Sequence, residues 1–264
     1  MMGCAAITAD LHLGITPPGA ILHLKEGMMK KKPEVIIIAG DIGEPIQNFK
    51  KCLSLFSDAP CPVGVVIGNH DLYNTDGRHH SEELWGRMLR DAVKEYGCVW
   101  MEDEAVTIGD TTFIGSMAWY DYTSRDPRLS HLPDDFLYSC KGKFVSDGNY
   151  IDWERDDREF AAALLDGLVK RIEVAQGDPS VRRIAVVTHV PLFPEQMVHY
   201  RSDNPYSDAY FGNFTGGKEV SRFSKVMDVV SGHTHRGVDK VIGNIRVRVV
   251  PSDYRKPAFI TLEM

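Results

Sequence analysis

The chain has 264 residues, 43% of them hydrophobic and 25% charged, an ordinary globular composition with room for a sizeable core. Its formal net charge of −7 argues against broad electrostatic adhesion to DNA, RNA or anionic membranes. Cys4, Cys52, Cys61, Cys98 and Cys140 are odd in number, scattered and without a C-x-x-C pair, so they read as reduced thiols of a cytoplasmic protein.

The N-terminal "MMGCAAITADLHLG" lacks a basic start followed by a long apolar stretch, so no signal peptide is expected. No apolar run approaches the roughly 20 residues of a membrane span. "CAAIT" is a short buried strand leading into Asp10 and His12. "GAILHLKEGMMKKK" follows Pro17-Pro18 as a helix, closed by Lys30, Lys31 and Lys32 before Pro33. A second strand, "EVIIIAG", runs into Asp41, and the helix "EPIQNFKKCLSLFSD" follows it. A third, "VGVVIG", delivers Asn69, His70 and Asp71 ahead of the helix "SEELWGRMLRDAVKEYG", which closes on Gly97. Alternating strands and helices predict a layered α/β core with ligands at the carboxyl ends of the strands.

"TTFIGSMAWYDYT" reads as another strand, and the aromatic, Asp-rich stretch after it as an excursion near 117–150 that forms part of a pocket. Trp119, Tyr120, Asp121 and Tyr122 either line that pocket or close the core. Apolar residues at 160, 164, 165, 168 and 172 mark an amphipathic helix. "RIAVVT" then runs into His189, a second variable stretch spans 193–218, and "MDVVSG" runs into His233 and His235. The C-terminal segments read as a meander, with Arg246 and Arg248 facing solvent from a half-exposed strand. The chain, 1–264, is expected to be one domain.

Asp10, His12, Asp41, Asn69, His189, His233 and His235 form a mixed imidazole, carboxylate and amide set. Without cysteine, such a set suits Mn, Fe, Zn, Co or Ni in a catalytic site, with Mn or Fe favoured by the oxygen donors. Seven ligands are too many for one ion with an open position and fit two ions that share a carboxylate. Two such ions clamp the attacking and leaving oxygens of a displacement at phosphorus and acidify a bridging water. His70 is left free of metal, placed to act as a general acid with Asp71 to orient it. His23, His79 and His80 have structural explanations. His131 and His199 lie in variable stretches where substrate contacts arise, and Arg125, Arg128 and Arg201 are candidate phosphate contacts by residue type but read first as solvated loop charges.

The ordered blocks D-x-H (Asp10, His12), G-D (Gly40, Asp41), G-N-H-D (Gly68 to Asp71), a lone His189 after a strand and G-H-x-H (Gly232 to His235) resemble the calcineurin-like metallophosphoesterase superfamily. The resemblance implies a four-layer αββα sandwich of two mixed sheets flanked by helices. It implies Asp10, His12 and His235 on one ion, Asn69, His189 and His233 on the other, Asp41 bridging, and His70 as the acid with Asp71 behind it. "GSMAWYDYT" and "YFGNFTGG" are similar to bacterial members of unassigned substrate. Aspartate at 71, where the protein Ser/Thr phosphatases carry glutamate, favours a small-molecule or nucleotide phosphoester, mono- or diester, over a phosphoprotein. The alternatives are a nuclease of the same superfamily, which needs a basic track, and a metal-binding scaffold without activity.

Overall fold

The computed structural model describes residues 3–197 and 204–264. The first half builds a sheet from β1 (Cys4–Thr8), β2 (Val35–Ala39), β3 (Val63–Val66) and β4 (Val99–Trp100), all parallel. The crossovers carry α1 (Pro18–Met29), α2 (Ile46–Ser54) and a helix that starts as α3 (Ser81–Glu83), loosens into a π turn at Leu84–Met88 and continues as α4 (Leu89–Glu95). Pro18 at its first position starts α1, where the missing amide is no loss. The lysines at 30 to 32 fall just beyond Met29, outside the helix.

The second sheet has the order β5 (Val106–Ile108), β6 (Thr111–Ser116), β7 (Arg183–Thr188), β8 (Val226–Ser231), β10 (Ile245–Val249), β9 (Val238–Ile242). Its inner four strands are parallel and its two edge strands antiparallel. Helices α5 (Asp134–Phe144), α6 (Asp147–Tyr150), α7 (Asp157–Gly177) and α8 (Phe214–Val220) lie between β6 and β8 in the chain. Asp156 caps α7, its carboxylate accepting from the amides of Arg158 and Glu159. The last strand, β11 (Phe259–Glu263), leaves this sheet and pairs antiparallel with β1. The C-terminal segments are thus a β9–β10 hairpin plus one strand returned to the first sheet, which corrects the expected meander.

Side-chain alternation along buried strands produces the layers. In β2, Val35, Ile37 and Ala39 point between the sheets, with Ile7, Val66, Phe113, Val187 and Val230. Ile36 and Ile38 point outward onto Ile21, Met28, Phe49 and Leu53 of the helices. On the far face of the second sheet, Ile114, Val186, Val229 and Val247 pack on Leu168 and Ile172 of α7 and Val220 of α8. This is the four-layer sandwich.

Two sequence expectations meet corrections here. Arg248 is buried, not solvent-facing: Ile245 and Val247 take the helix side, so its side chain turns inward between the sheets. There it donates to Asp228 Oδ1 at 2.9 Å and to the Thr261 carbonyl at 3.1 Å, while Arg246 is exposed as expected. The strand at 111 stops at Ser116, and Trp119, Tyr120 and Tyr122 are fully buried in the core.

Candidate metal centre

Parallel strands present their carboxyl ends to one side, and both sheets do so at the same edge of the sandwich. Asp10 and His12 follow β1, Asp41 follows β2, and Asn69 follows β3. His189 follows β7, and His233 and His235 follow β8. Five of these seven residues hold left-handed backbone: Asp10 at φ 54°, His12 at 42°, Asp41 at 52°, His233 at 69° and His235 at 55°. Each such non-glycine conformation costs roughly 1–3 kcal/mol, and residues kept in it cluster where function fixes geometry. Backbone bonds hold it, among them Asp10 N to Gly40 O at 2.9 Å and His12 N to Asp41 O at 2.8 Å. The glycines of the motifs serve close approach. A Cβ on Gly40 would collide with the His189 ring, and one on Gly68 with the Asp41 carboxylate.

The side chains converge as two donor sets that share one carboxylate. Asp10, His12, Asp41 and His235 form one set and Asp41, His189 and His233 the other, each with its donor atoms within 4.8 Å of one another. Asp41 divides its oxygens, Oδ2 lying 3.5 Å from His12 Nε2 and Oδ1 3.3 Å from His189 Nε2. Asn69 Oδ1 joins the second set, 3.1 Å from His189 Nε2. His12 Nε2 and His235 Nε2 face each other at 3.4 Å, and His233 Nδ1 faces His189 Nε2 at 3.2 Å. The pair one residue apart, His233 and His235, diverges into the two sets.

The donors fit metal ions. Asp10 Oδ2 is buried without a hydrogen-bond partner, a costly state in a dry interior, as is the outer nitrogen of His12, Nδ1, whose Nε2 faces the set. Three rings have the other nitrogen occupied: His189 Nδ1 by the Ala39 carbonyl at 2.9 Å, His233 Nε2 by the Tyr210 carbonyl at 3.3 Å, and His235 Nδ1 by Asp253 at 3.4 Å. Such outer bonds fix the tautomer and turn the free lone pair toward the shared space. Burial pushes His12 and His233 down to about 3, so both are neutral ligands-in-waiting. Burial also opposes a charge on His189, but Asp41 beside it raises the ring to about 9. That proton sits where a cation would replace it. Burial and the nearby Asp41 lift Asp10 to about 6, against the pull of His235 and His189.

His70 lies at the rim of this cluster. Burial would lower it, but Asp41 and a 3.2 Å contact from its Nδ1 to Glu44 Oε1 raise it to about 9. Asp71 does not orient it. Its Oδ1 accepts from the amides of Ile42 at 2.8 Å and Gly43 at 3.0 Å, and its Oδ2 from Gly68 at 2.8 Å. Asp71 therefore ties the loop after β2 to the loop after β3, and Glu44 is the carboxylate on the His70 ring. Sequence reasoning missed Glu44: its place three residues beyond Asp41 put it near the site, but nothing in the chain pairs it with His70.

A cleft of about 800 Å³ opens over the cluster, lined by Asp41, Asn69, His70, His233 and His235. Residues 142–147 and Asn149 of the first excursion and Ser207, Tyr210 and Phe211 of the second form one wall, and Arg236, Asp253 and Tyr254 the other. The Tyr254 ring stands 4.6 Å from His12 and 4.8 Å from His235. Arg125 and Arg128 do not line the cleft; the first binds the Leu132 carbonyl and Asp134, the second Asp126. His131 is exposed away from it, and His199 and Arg201 lie outside the described residues.

The model of the calcineurin-like phosphoesterase family matches residues 5–237. No curated protein matches the chain. Among solved structures, a phosphopantetheinyl hydrolase from Mycobacterium tuberculosis superposes with a TM-score of 0.75 at 17% identity, over 98% of this chain and 96% of that one. A dimetal phosphatase from Danio rerio gives 0.63 at 12%, over 100% and 93%. The protein TT1561 of Thermus thermophilus gives 0.58 at 9%, over 100% and 99%. These identities carry the fold alone. With a family match spanning all five motif blocks and both donor sets, this chain belongs to the calcineurin-like phosphoesterases.

Proposed function

We propose that the chain hydrolyses a small phosphoester, a monoester or diester of a small molecule or nucleotide, at a two-ion centre. The family is one of metal-dependent phosphoesterases with a dinuclear centre. The observation that carries the proposal is the pair of donor sets sharing Asp41 under an open cleft. Asp10, His12 and His235 would hold one ion, Asn69, His189 and His233 the other, and Asp41 both. When bound, the ions, with Mn or Fe favoured by the nitrogen and oxygen donors, would polarise the phosphoryl group and supply the nucleophile at neutral pH.

The rest falls to this chain's own groups. His70, at the cleft, donates a proton to the leaving oxygen, and Glu44 on its Nδ1 holds the ring in place. Lys143 and Arg236 are, among the described residues, the lysine and arginine that line the cleft, too few for the basic track a nuclease uses. Among the described residues no helix is long and apolar enough to cross a membrane.

Metal analysis of the purified chain, followed by assay with Mn²⁺ against p-nitrophenyl phosphate and its bis-ester, tests this. Two ions per chain and turnover of either ester are expected; two bound ions with neither ester cleaved would point to the inert scaffold. A panel of phosphomonoesters, cyclic nucleotides, nucleotide diphosphates and a phosphopantetheine diester, the last prompted by the Mycobacterium neighbour, then narrows the substrate.

A further inference from the structure

Asp147 opens α6, inside the excursion between β6 and α7, and is only 3% exposed. Its partners are neutral donors. Oδ1 accepts from Asn69 Nδ2 at 2.7 Å and from the Tyr73 hydroxyl at 2.6 Å, and Oδ2 from the Tyr120 hydroxyl at 2.9 Å. Asn69 Nδ2 also lies 3.3 Å from the Tyr73 oxygen.

An asparagine amide has one face that can bind a cation and one that cannot, and the two are nearly identical in shape. Only the hydrogen-bond surroundings decide which way the amide turns. A carboxylate accepts and never donates, so Asp147 admits only the Nδ2 side of Asn69. The opposite side, Oδ1, is thereby turned to the space beside His189 Nε2, 3.1 Å away. A neutral asparagine or glutamine at 147 could turn over and allow either orientation. The buried carboxylate cannot, and Tyr73 and Tyr120 fix its own orientation.

We propose that Asp147 is the positioning residue that locks the Asn69 amide with its oxygen toward the second ion. The excursion that walls the cleft is thereby fastened to the metal centre. The proposal rests on the two-ion reading above and adds to it a residue distant in sequence from every motif.

The test is a Mn²⁺ titration of the metal-free full chain, with bound ions counted by elemental analysis after dialysis. Asp147→Ala is expected to weaken one of the two ions by about 10–100-fold, the range for loss of an outer partner, and to leave the other unchanged. Wild-type affinity for both ions, or equal weakening of both, overturns the proposal. A swap that preserves volume decides the matter even if the alanine variant does not fold. Asn69→Asp sets two carboxylates against each other, and the added Asp147→Asn restores a donor between them. The double variant is expected to bind the second ion at least about tenfold tighter than Asn69→Asp alone. Equal affinities overturn the proposal. A wild-type chain that takes up fewer than two ions would instead sink the two-ion reading, an outcome separate from any effect at Asp147.

Discussion

Two buried polar clusters, one around Asp157 and one at the metal centre, are treated in opposite ways. Asp157, at the start of α7, is 1% exposed, and its oxygens accept from Trp119 Nε1 at 2.7 Å, the Tyr122 hydroxyl and Lys141 Nζ at 2.8 and 2.9 Å. Each lone pair is engaged and the charge is paired. In the metal centre, Asp10 Oδ2 and His12 Nδ1 have no partner, ring nitrogens face ring nitrogens, and five residues hold left-handed backbone. Burial of charge is common to both and so says nothing about function. Unspent donor capacity, held in place at a conformational cost, separates the reactive cluster from the structural one.

That contrast breaks most readily at Asp41. Asp41→Asn is expected to release both ions together and bring turnover to background; selective loss of one ion would show that its two oxygens do not serve two sets. Next comes His70→Ala, for which turnover should fall by about 10²–10⁴-fold with both ions retained. Loss of metal from this variant would move His70 into the ligand set. In the structural cluster the effects reverse. Lys141→Met leaves the Asp157 charge buried and unpaired, and denaturant unfolding should show a loss of about 3–5 kcal/mol with the metal content intact. A change in ion stoichiometry there would erase the distinction between the clusters.

A smaller effect is expected at Glu102, whose carboxylate is buried against the Met117 amide and the Ser116 hydroxyl. Burial raises it to about 7, against the pull of that amide and of Arg171. A carboxyl raised in the folded state favours folding while protonated. Its contribution is full below the unfolded value near 4.5 and is lost as pH climbs through about 7. The difference in stability between the chain and Glu102→Gln should therefore change by roughly 3 kcal/mol across that window, and a flat difference curve would refute it.

The strand-end residues were legible because each sits within a few positions of a buried apolar run, and parallel strands send such positions to one edge. Long-range partners were not. Glu44 reaches His70 across two loops, and Asp147 reaches Asn69 from an excursion with no period to place it. Asp71 misled because adjacency in the chain suggested contact, whereas the turn at 70 to 72 aims its carboxylate back at backbone amides. Arg248 misled for a related reason. Alternation along β10 was real, but a strand's pattern does not reveal whether its second face meets water or another sheet. The destination of β11 was hidden likewise, since pairing with β1 is a matter of the far end of the chain.

The seven converging side chains are divided between the two sheets: Asp10, His12, Asp41 and Asn69 come from the first, His189, His233 and His235 from the second. Each donor set draws on both. Most of the contact between the two sheets is nondirectional apolar packing, which by itself tolerates small sliding of one layer over the other, and bonds such as Arg248 to the Thr261 carbonyl are the directional exceptions. The bond from His189 to the Ala39 carbonyl, and the sets themselves, admit no such sliding. The reactive edge therefore doubles as one of the gauges that set how the two halves of the sandwich are aligned.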